Sequence, residues 1–191
     1  MKKNNGYIYL DVITGIFTAV LVLSNTLDTK IFSLFSMNLP AGIILFPLGY
    51  VFGDVLTEVY GYSESRKVIW TGFFVLLMTA VFYSIAIELP PAEFWKNQEA
   101  FETTLGHVPR LVAASIAAYL IGEFCNSYVV AKMKVWSSGN NMALRFVSST
   151  LVGQAVDTSV FVAIAFIGVL PASALPGIIL GGWAFKVSWE I

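Results

Sequence analysis

Charge is what this sequence has least of. Asp, Glu, Lys and Arg make up 12% of its 191 residues, while 57% are hydrophobic. A soluble domain usually carries about 25% charged residues. Half that share, combined with long uncharged runs, excludes a soluble globular domain and implies an integral membrane protein. A formal net charge of −1 with no basic stripe excludes nucleic acid as a direct partner. The one cysteine, Cys125, allows neither an intramolecular disulfide nor a cysteine metal set. The one histidine, His107, lies in a polar stretch, which leaves histidine-based metal or triad chemistry almost nothing to use. No metal and no cofactor is expected. Nor is a cleavable signal peptide, since Met1-Lys2-Lys3 leads into an apolar stretch of spanning length without a small-residue cleavage site.

What is present is a set of long apolar segments. A spanning helix needs about 20 mostly apolar residues, and six segments qualify: 7–24, 41–60, 68–89, 111–131, 144–168 and 174–191. The expected fold is an all-α integral membrane protein with six transmembrane helices, forming one transmembrane domain over residues 1–191. Divided three and three, six spans give halves of opposite orientation, the arrangement of an inverted pseudo-repeat. Lys and Arg placement orients them. With the N-terminus inside, cytoplasmic segments hold Lys2, Lys3, Arg66, Lys67, Lys132, Lys134 and Arg145, against Lys30, Lys96 and Arg110 outside. Both termini are therefore expected to be cytoplasmic. Between the third and fourth spans, Phe94, Trp95, Gln98, Phe101, Glu102 and Leu105 recur at helical spacing, which predicts a short amphipathic helix on the outer surface. The link at 25–40 is too short and too apolar for an ordinary loop. It is expected to dip back into the bilayer as irregular backbone buried in protein or lining a cavity. The last segment stops at Ile191 without a helix-stop signal and reads as cut within its helix.

The stretch FPLGYVFGDVLTEVYGYSESRKVIW, residues 46–70, sets two acids into this apolar background. Asp54 and Glu58, four residues apart, share one helix face. A carboxylate in hydrocarbon costs several kcal/mol unless it meets protein, water or a partner, so the pair asks for an enclosed polar cavity. Pro47 and Gly49, one to two turns earlier, predict a broken helix with backbone groups freed for a ligand. The competing reading lets Glu58 reach the headgroups beside Arg66 and leaves Asp54 as half of a structural pair. At 1.5 Å per residue, Glu123 and Asp157 also fall near the bilayer midplane. Asn126 lies one turn from Glu123, and Thr150, Gln154, Asp157 and Phe161 share a face of the fifth span. Asp54, Glu123 and Asp157 thus give three helices one mid-depth acid each, and Lys30, Arg145 and Lys186 are the cations available to offset them. Carboxylates and amides together suit an uncharged heterocycle that presents N–H donors and a carbonyl. Phe32, Phe46, Tyr50, Trp70, Phe161 and Trp183 offer stacking faces.

These residues resemble a known family. Ser24-Asn25 with Lys30, the 46–70 stretch with its Asp-x-x-x-Glu-Val-Tyr-Gly block, GEFCNSYVVAKMK from Gly122, and RFVSSTLVGQAVDTSVFVAIAF from Arg145 are similar to the queuosine-precursor transporters of bacteria and archaea, also called the vitamin uptake transporter family. The resemblance implies a six-helix membrane fold without enzymatic activity, in a prokaryotic cell membrane. It also implies import of 7-cyano-7-deazaguanine, 7-aminomethyl-7-deazaguanine or queuine for salvage into tRNA modification. A 7-deazaguanine presents an N1–H and an amino group side by side, which one carboxylate accepts together. Glu123 or Asp157 is expected to take that edge, with Asn126 or Gln154 meeting the carbonyl. Asn25, Phe46, Tyr50, Asp54 and Glu58 are expected to complete the binding surface or take part in its opening. Lys30, Arg145 and Lys186 are expected to serve gating and charge pairing, with Arg145 anchoring a cytoplasmic gate.

Two other classes compete. A substrate-binding subunit of a modular ATP-driven vitamin or nucleobase importer has a similar size, and Ala113-x-x-x-Ala117 and Ala114-x-x-x-Ala118 would serve its docking. An intramembrane aspartyl protease would pair Asp54 with Asp157, but neither lies in a Gly-x-Gly-Asp block. Partners are thus a small 7-deazaguanine and the lipid bilayer, with a homodimer open.

Overall fold

A computed structural model describes residues 9–35, 37–136 and 142–190, and of Asp54 the backbone alone. The expected first-span residues Tyr7 and Ile8, and Lys2 and Lys3, lie outside the described residues. Among the described residues seven α-helices run in chain order: α1 Leu10–Leu27, α2 Phe46–Val55, α3 Tyr62–Glu88, α4 Gln98–Leu105, α5 Val108–Trp136, α6 Met142–Phe166 and α7 Leu175–Glu190. Five stretches of the described chain are helical, long and apolar enough to cross a membrane: Leu10–Leu27, Ala41–Tyr60, Tyr62–Glu88, Gln98–Trp136 and Met142–Phe166. The segment expected as a sixth span is the 16-residue α7, about 24 Å long at 1.5 Å per residue. The short helix expected between the third and fourth spans is α4, where Gln98 donates to the Ile87 carbonyl and to Glu102 and Trp95 meets Phe101 edge to face.

The contacts divide the chain into two compact units, one of residues up to Lys30 with Ala41–Val112, the other of Ile31–Pro40 with Ala113–Ile191. In the first, α1 and α3 lie side by side. From Val68 onward helix α3 is apolar on nearly all sides, as expected of a helix in lipid. Val68, Gly72, Leu76 and Ala80 are buried, while Trp70, Phe74, Leu77, Val81 and Ile85 recur at helical spacing on its exposed face. Gly72 lets the backbone of α3 approach α1; a Cβ there would come within 2.6 Å of the Leu21 side chain. Phe17, Leu56 and Val68 form the centre of this unit's core.

The second apolar stretch, Ala41–Tyr60, is not one α-helix. It is a 3-10 turn at Ala41–Leu45, then α2, then a π-helical turn at Leu56–Tyr60. Pro47 falls in the first turn of α2, where its missing N–H costs nothing. It therefore starts the α-helix rather than kinking it, and the departures from α geometry lie at either side. Gly61, at φ 83°, ends the π turn, a backbone conformation that glycine enters freely.

The link expected as irregular backbone differs in the structure. Strands β1 Ile31–Leu34 and β2 Met37–Pro40 pair antiparallel, Ile31 opposite Pro40 and Leu34 opposite Met37. Cross-strand pairing satisfies the backbone polar groups of an apolar segment, which an irregular loop would leave needing partners. The strands belong to the second unit, where β2 lies on α7: a Cβ on Gly181 would sit 3.1 Å from Leu39 and 3.3 Å from Met37.

Candidate functional site

In the first unit, polar groups gather where α1 ends and the 3-10 turn begins. Asn25 is buried, its Nδ2 donating to the Leu21 carbonyl (3.0 Å), while its Oδ1 is buried without a hydrogen-bond partner. Asp28, also buried, accepts from the backbone N–H of Gly42 at 2.9 Å, and the Ser24 hydroxyl donates to the Gly42 carbonyl at 3.1 Å. Gly42 is thus held at both its amide and its carbonyl. Residue spacing does not pair Asp28 with Gly42, because their meeting depends on the hairpin between them. Further along, Phe46 and Tyr50 stack with ring centroids 6.2 Å apart. Asp54 is the penultimate residue of α2, and Glu58 sits exposed in the π turn that follows it. Lys30 is exposed just beyond α1, and Trp70 is exposed on α3.

The second unit holds the denser cluster, built where α5, α6 and α7 meet. Gly122 on α5 faces Gly153 and Asp157 on α6: a Cβ on Gly122 would come within 2.8 Å of the Asp157 Cβ and 3.3 Å of the Gly153 carbonyl oxygen. One turn along, Asn126 lies against Gly153 with its Oδ1 buried and without a hydrogen-bond partner. On the other side Asp157 meets α7, where the Lys186 ammonium donates to its Oδ2 at 2.5 Å, the two side chains 22% and 17% exposed. One turn away on both helices, Gln154 Nε2 donates to the Glu190 carboxylate, and the Gln154 Oε1 is buried without a partner. Trp183 closes the ladder by donating its indole N–H to the Leu151 carbonyl at 3.0 Å. Thr158 sits against Gly182 at the far end.

Asn126, Gln154, Asp157 and Lys186 therefore come together. Glu123, three residues before Asn126, is exposed, and Phe161 turns edge-on to Phe166 at 5.9 Å. Arg145 is half-buried, its Nε and Nη1 without hydrogen-bond partners. Phe32 is half-buried in β1. Residue spacing within α7 gives Glu190 no role at the site by itself. The spacing that marks it is the four-residue step from Lys186, which puts both on one face of α7. A shallow pocket of about 440 Å³ opens beside α7, lined by Met37, Asn38, Leu180 and Trp183 among others. Trp183 is its only member shared with the polar ladder. No group of three or more metal-ligating side chains occurs among the described residues.

The close crossing at Gly122 carries a prediction. Gly122→Ala puts a methyl against the Asp157 Cβ and the α6 backbone, and such overpacking costs about 1–3 kcal/mol. The purified variant is expected to melt several degrees lower, by scanning fluorimetry in detergent. An unchanged melting curve would mean that α5 and α6 do not cross here.

Comparison with known proteins adds a second line. Residues 40–191 match the model of a family described as "Putative vitamin uptake transporter". A "Probable queuosine precursor transporter" of Bacillus subtilis (strain 168) is 31% identical over 166 residues, 86% of this chain and 72% of that protein. A protein of the same description from Haemophilus influenzae is 29% identical over 139 residues, 69% of this chain and 54% of its own length. This chain thus spans about half of that relative. No solved structure matches.

Proposed function

Because this chain belongs to the vitamin uptake transporter family, we propose that it carries queuosine precursors across a cell membrane: 7-cyano-7-deazaguanine, 7-aminomethyl-7-deazaguanine or queuine. Its relatives' descriptions support that substrate class. The observation that carries the site assignment is the placing of Asp157 where three helices meet, with Gln154 one turn away on α6 and Asn126 one turn along α5 from the Gly122 that faces it. A carboxylate accepts the N1–H and amino group of the deazaguanine together, and a neighbouring amide N–H serves its carbonyl. Of the two acids in question, Asp157 is the better placed, because Glu123 is exposed. The whole chain acts as one transport domain of a multi-pass membrane protein, with α7 as its sixth span and both termini on the cytoplasmic side, where Lys and Arg predominate. The membrane is the inner membrane of a prokaryote, and the reaction is transport rather than catalysis.

As an ATP-importer subunit the chain would need a docking helix. Ala114 and Ala118 are buried within the chain, which leaves Ala113 and Ala117 of the two small-residue pairs. Uptake by the purified protein alone in liposomes separates the readings. Accumulation of radiolabelled 7-cyano-7-deazaguanine without ATP or a second protein is expected. No uptake unless an ATPase is added would favour the subunit.

A further inference from the structure

Two cross-helix bonds tie α6 to α7 in this structure, and their four partners are arranged so that they can exchange. On α6, Gln154 and Asp157 stand one turn apart; on α7, Lys186 and Glu190 do the same. Asp157 holds Lys186, and Gln154 holds Glu190. The two groups that α6 contributes are a carboxylate and an amide, the pair a 7-deazaguanine needs. The two that α7 contributes are an ammonium and a carboxylate, which complement each other. Both α6 groups are thus already occupied by α7.

We propose that Lys186 and Glu190 are stand-ins for the substrate, and that loading the carrier is a change of partners. This rests on the assignment of the substrate to Asp157 and Gln154. As the deazaguanine N1–H and amino group reach Asp157, they displace the Lys186 ammonium. As its carbonyl reaches Gln154, the amide lets go of Glu190. Lys186 and Glu190, four residues apart on one face of α7 and about 6 Å apart along its axis, then pair with each other. Each bond broken is replaced by one formed, and no charge is left unpaired in the low-dielectric interior, where an isolated ion would cost several kcal/mol. The exchange moves no proton. Its mechanical consequence falls on α7, which loses two polar bonds to α6 and keeps the Trp183 bond to Leu151 and the contact of Gly182 with Thr158. Helix α7 is therefore the element that substrate frees to move.

The charged groups around the exchange are Asp157 on α6, Lys186 and Glu190 on α7, and the exposed Glu123 on α5. Because the ammonium competes with substrate, the observed affinity is the intrinsic one reduced by the fraction of carriers whose Asp157 is open.

Equilibrium binding of 7-cyano-7-deazaguanine to purified protein in nanodiscs, compared across variants, tests this. Lys186→Met removes the competitor and is expected to tighten binding about tenfold while slowing uptake. Glu190→Gln takes away the acceptor of the displaced ammonium and is expected to weaken binding about tenfold in the native background. In the Lys186→Met background the same Glu190→Gln change is expected not to weaken binding but to tighten it slightly, since no ammonium needs a home and the carboxylate that Gln154 releases would otherwise be left unpaired. That loss of the penalty is the signature of the exchange. If Lys186→Met does not fold, Lys186→Gln, which still offers Asp157 an N–H, replaces it and is expected to tighten binding less. Weaker binding in Lys186→Met or Lys186→Gln, or an equal Glu190→Gln loss in both backgrounds, would overturn the exchange and make these residues direct substrate contacts. Native affinity in Asp157→Asn would instead remove the site assignment on which the exchange stands.

Discussion

Asp157→Asn is expected to reduce uptake of 7-deazaguanine precursors by more than about 100-fold while leaving the protein in the membrane. The carboxylate offers acceptors on both oxygens; the amide turns one of them into a donor that faces the substrate's own N–H. Hydrogen bonds to a charged group contribute about 1.5–3 kcal/mol each, so replacing one by a donor–donor clash and reducing the other to a neutral bond accounts for the effect on binding. Sites built to hydrogen-bond a substrate discriminate steeply when one partner changes, because the remaining buried groups are left unpaired. The effect on folding is smaller. Lys186 loses its anion at 2.5 Å, but the Asn oxygen still accepts from it, and Glu190 lies one turn further along α7. Filter-binding and uptake measured alongside membrane yield separate the two effects. Normal yield with uptake at background is the expected result, and uptake within a few-fold of the native protein would exclude Asp157 from the site.

Gly42→Ala is expected to destroy the folded protein rather than its selectivity. A methyl at this position would stand 2.2 Å from the Ser24 carbonyl oxygen, 2.5 Å from Asp28 Oδ1 and 2.7 Å from Ser24 Oγ. The first of these is backbone within α1, which has no room to yield. The other two are the groups that fix Gly42 through its N–H and its carbonyl. Relieving the clash therefore breaks both bonds and leaves a buried carboxylate without one of its donors, at a combined cost above about 4 kcal/mol. The expected readout is loss of monodisperse protein on detergent size exclusion. Gly15, also in α1, has nothing within 4 Å of its Cβ position, and Gly15→Ala is expected to be neutral or stabilising by up to about 1 kcal/mol. Equal behaviour of the two variants would mean that the start of the second apolar stretch is not seated on α1.

How much of this was legible from residues alone depends on the kind of interaction. The second apolar stretch was bounded at Ala41 and Tyr60, because composition reports where a chain can lie in lipid. Its division into 3-10, α and π turns was not, since all three present much the same run of apolar side chains. Composition ends the first span at Ser24, yet α1 continues to Leu27. Asn25 and Thr26 look like link residues, but each donates back to the carbonyl four residues earlier, so the helix carries them with those donors met. The hairpin carried no Asn-Gly or Asp-Gly signal; its turn places Phe35 at φ 47°, a conformation residue type does not announce. At the site, Asn126, Gln154, Asp157 and Lys186 were visible as polar groups too deep in apolar segments to be ordinary. Which cation met which acid was not, because Lys30, Arg145 and Lys186 were equally available until the pairing of α6 with α7 chose Lys186. Glu190 was overlooked for the same reason, its significance lying in Gln154 on another helix.

Recognition of the purine-like ring turns on Asp157 reading its adjacent N1–H and amino groups. Competition binding on purified protein, setting 7-cyano-7-deazaguanine against the analogue that lacks only the 2-amino group, tests that most directly. Removal of one of two charged hydrogen bonds is expected to weaken binding by at least about tenfold, with the difference between the two ligands collapsing in Asp157→Asn. Equal affinities for the two ligands in the native protein would contradict it.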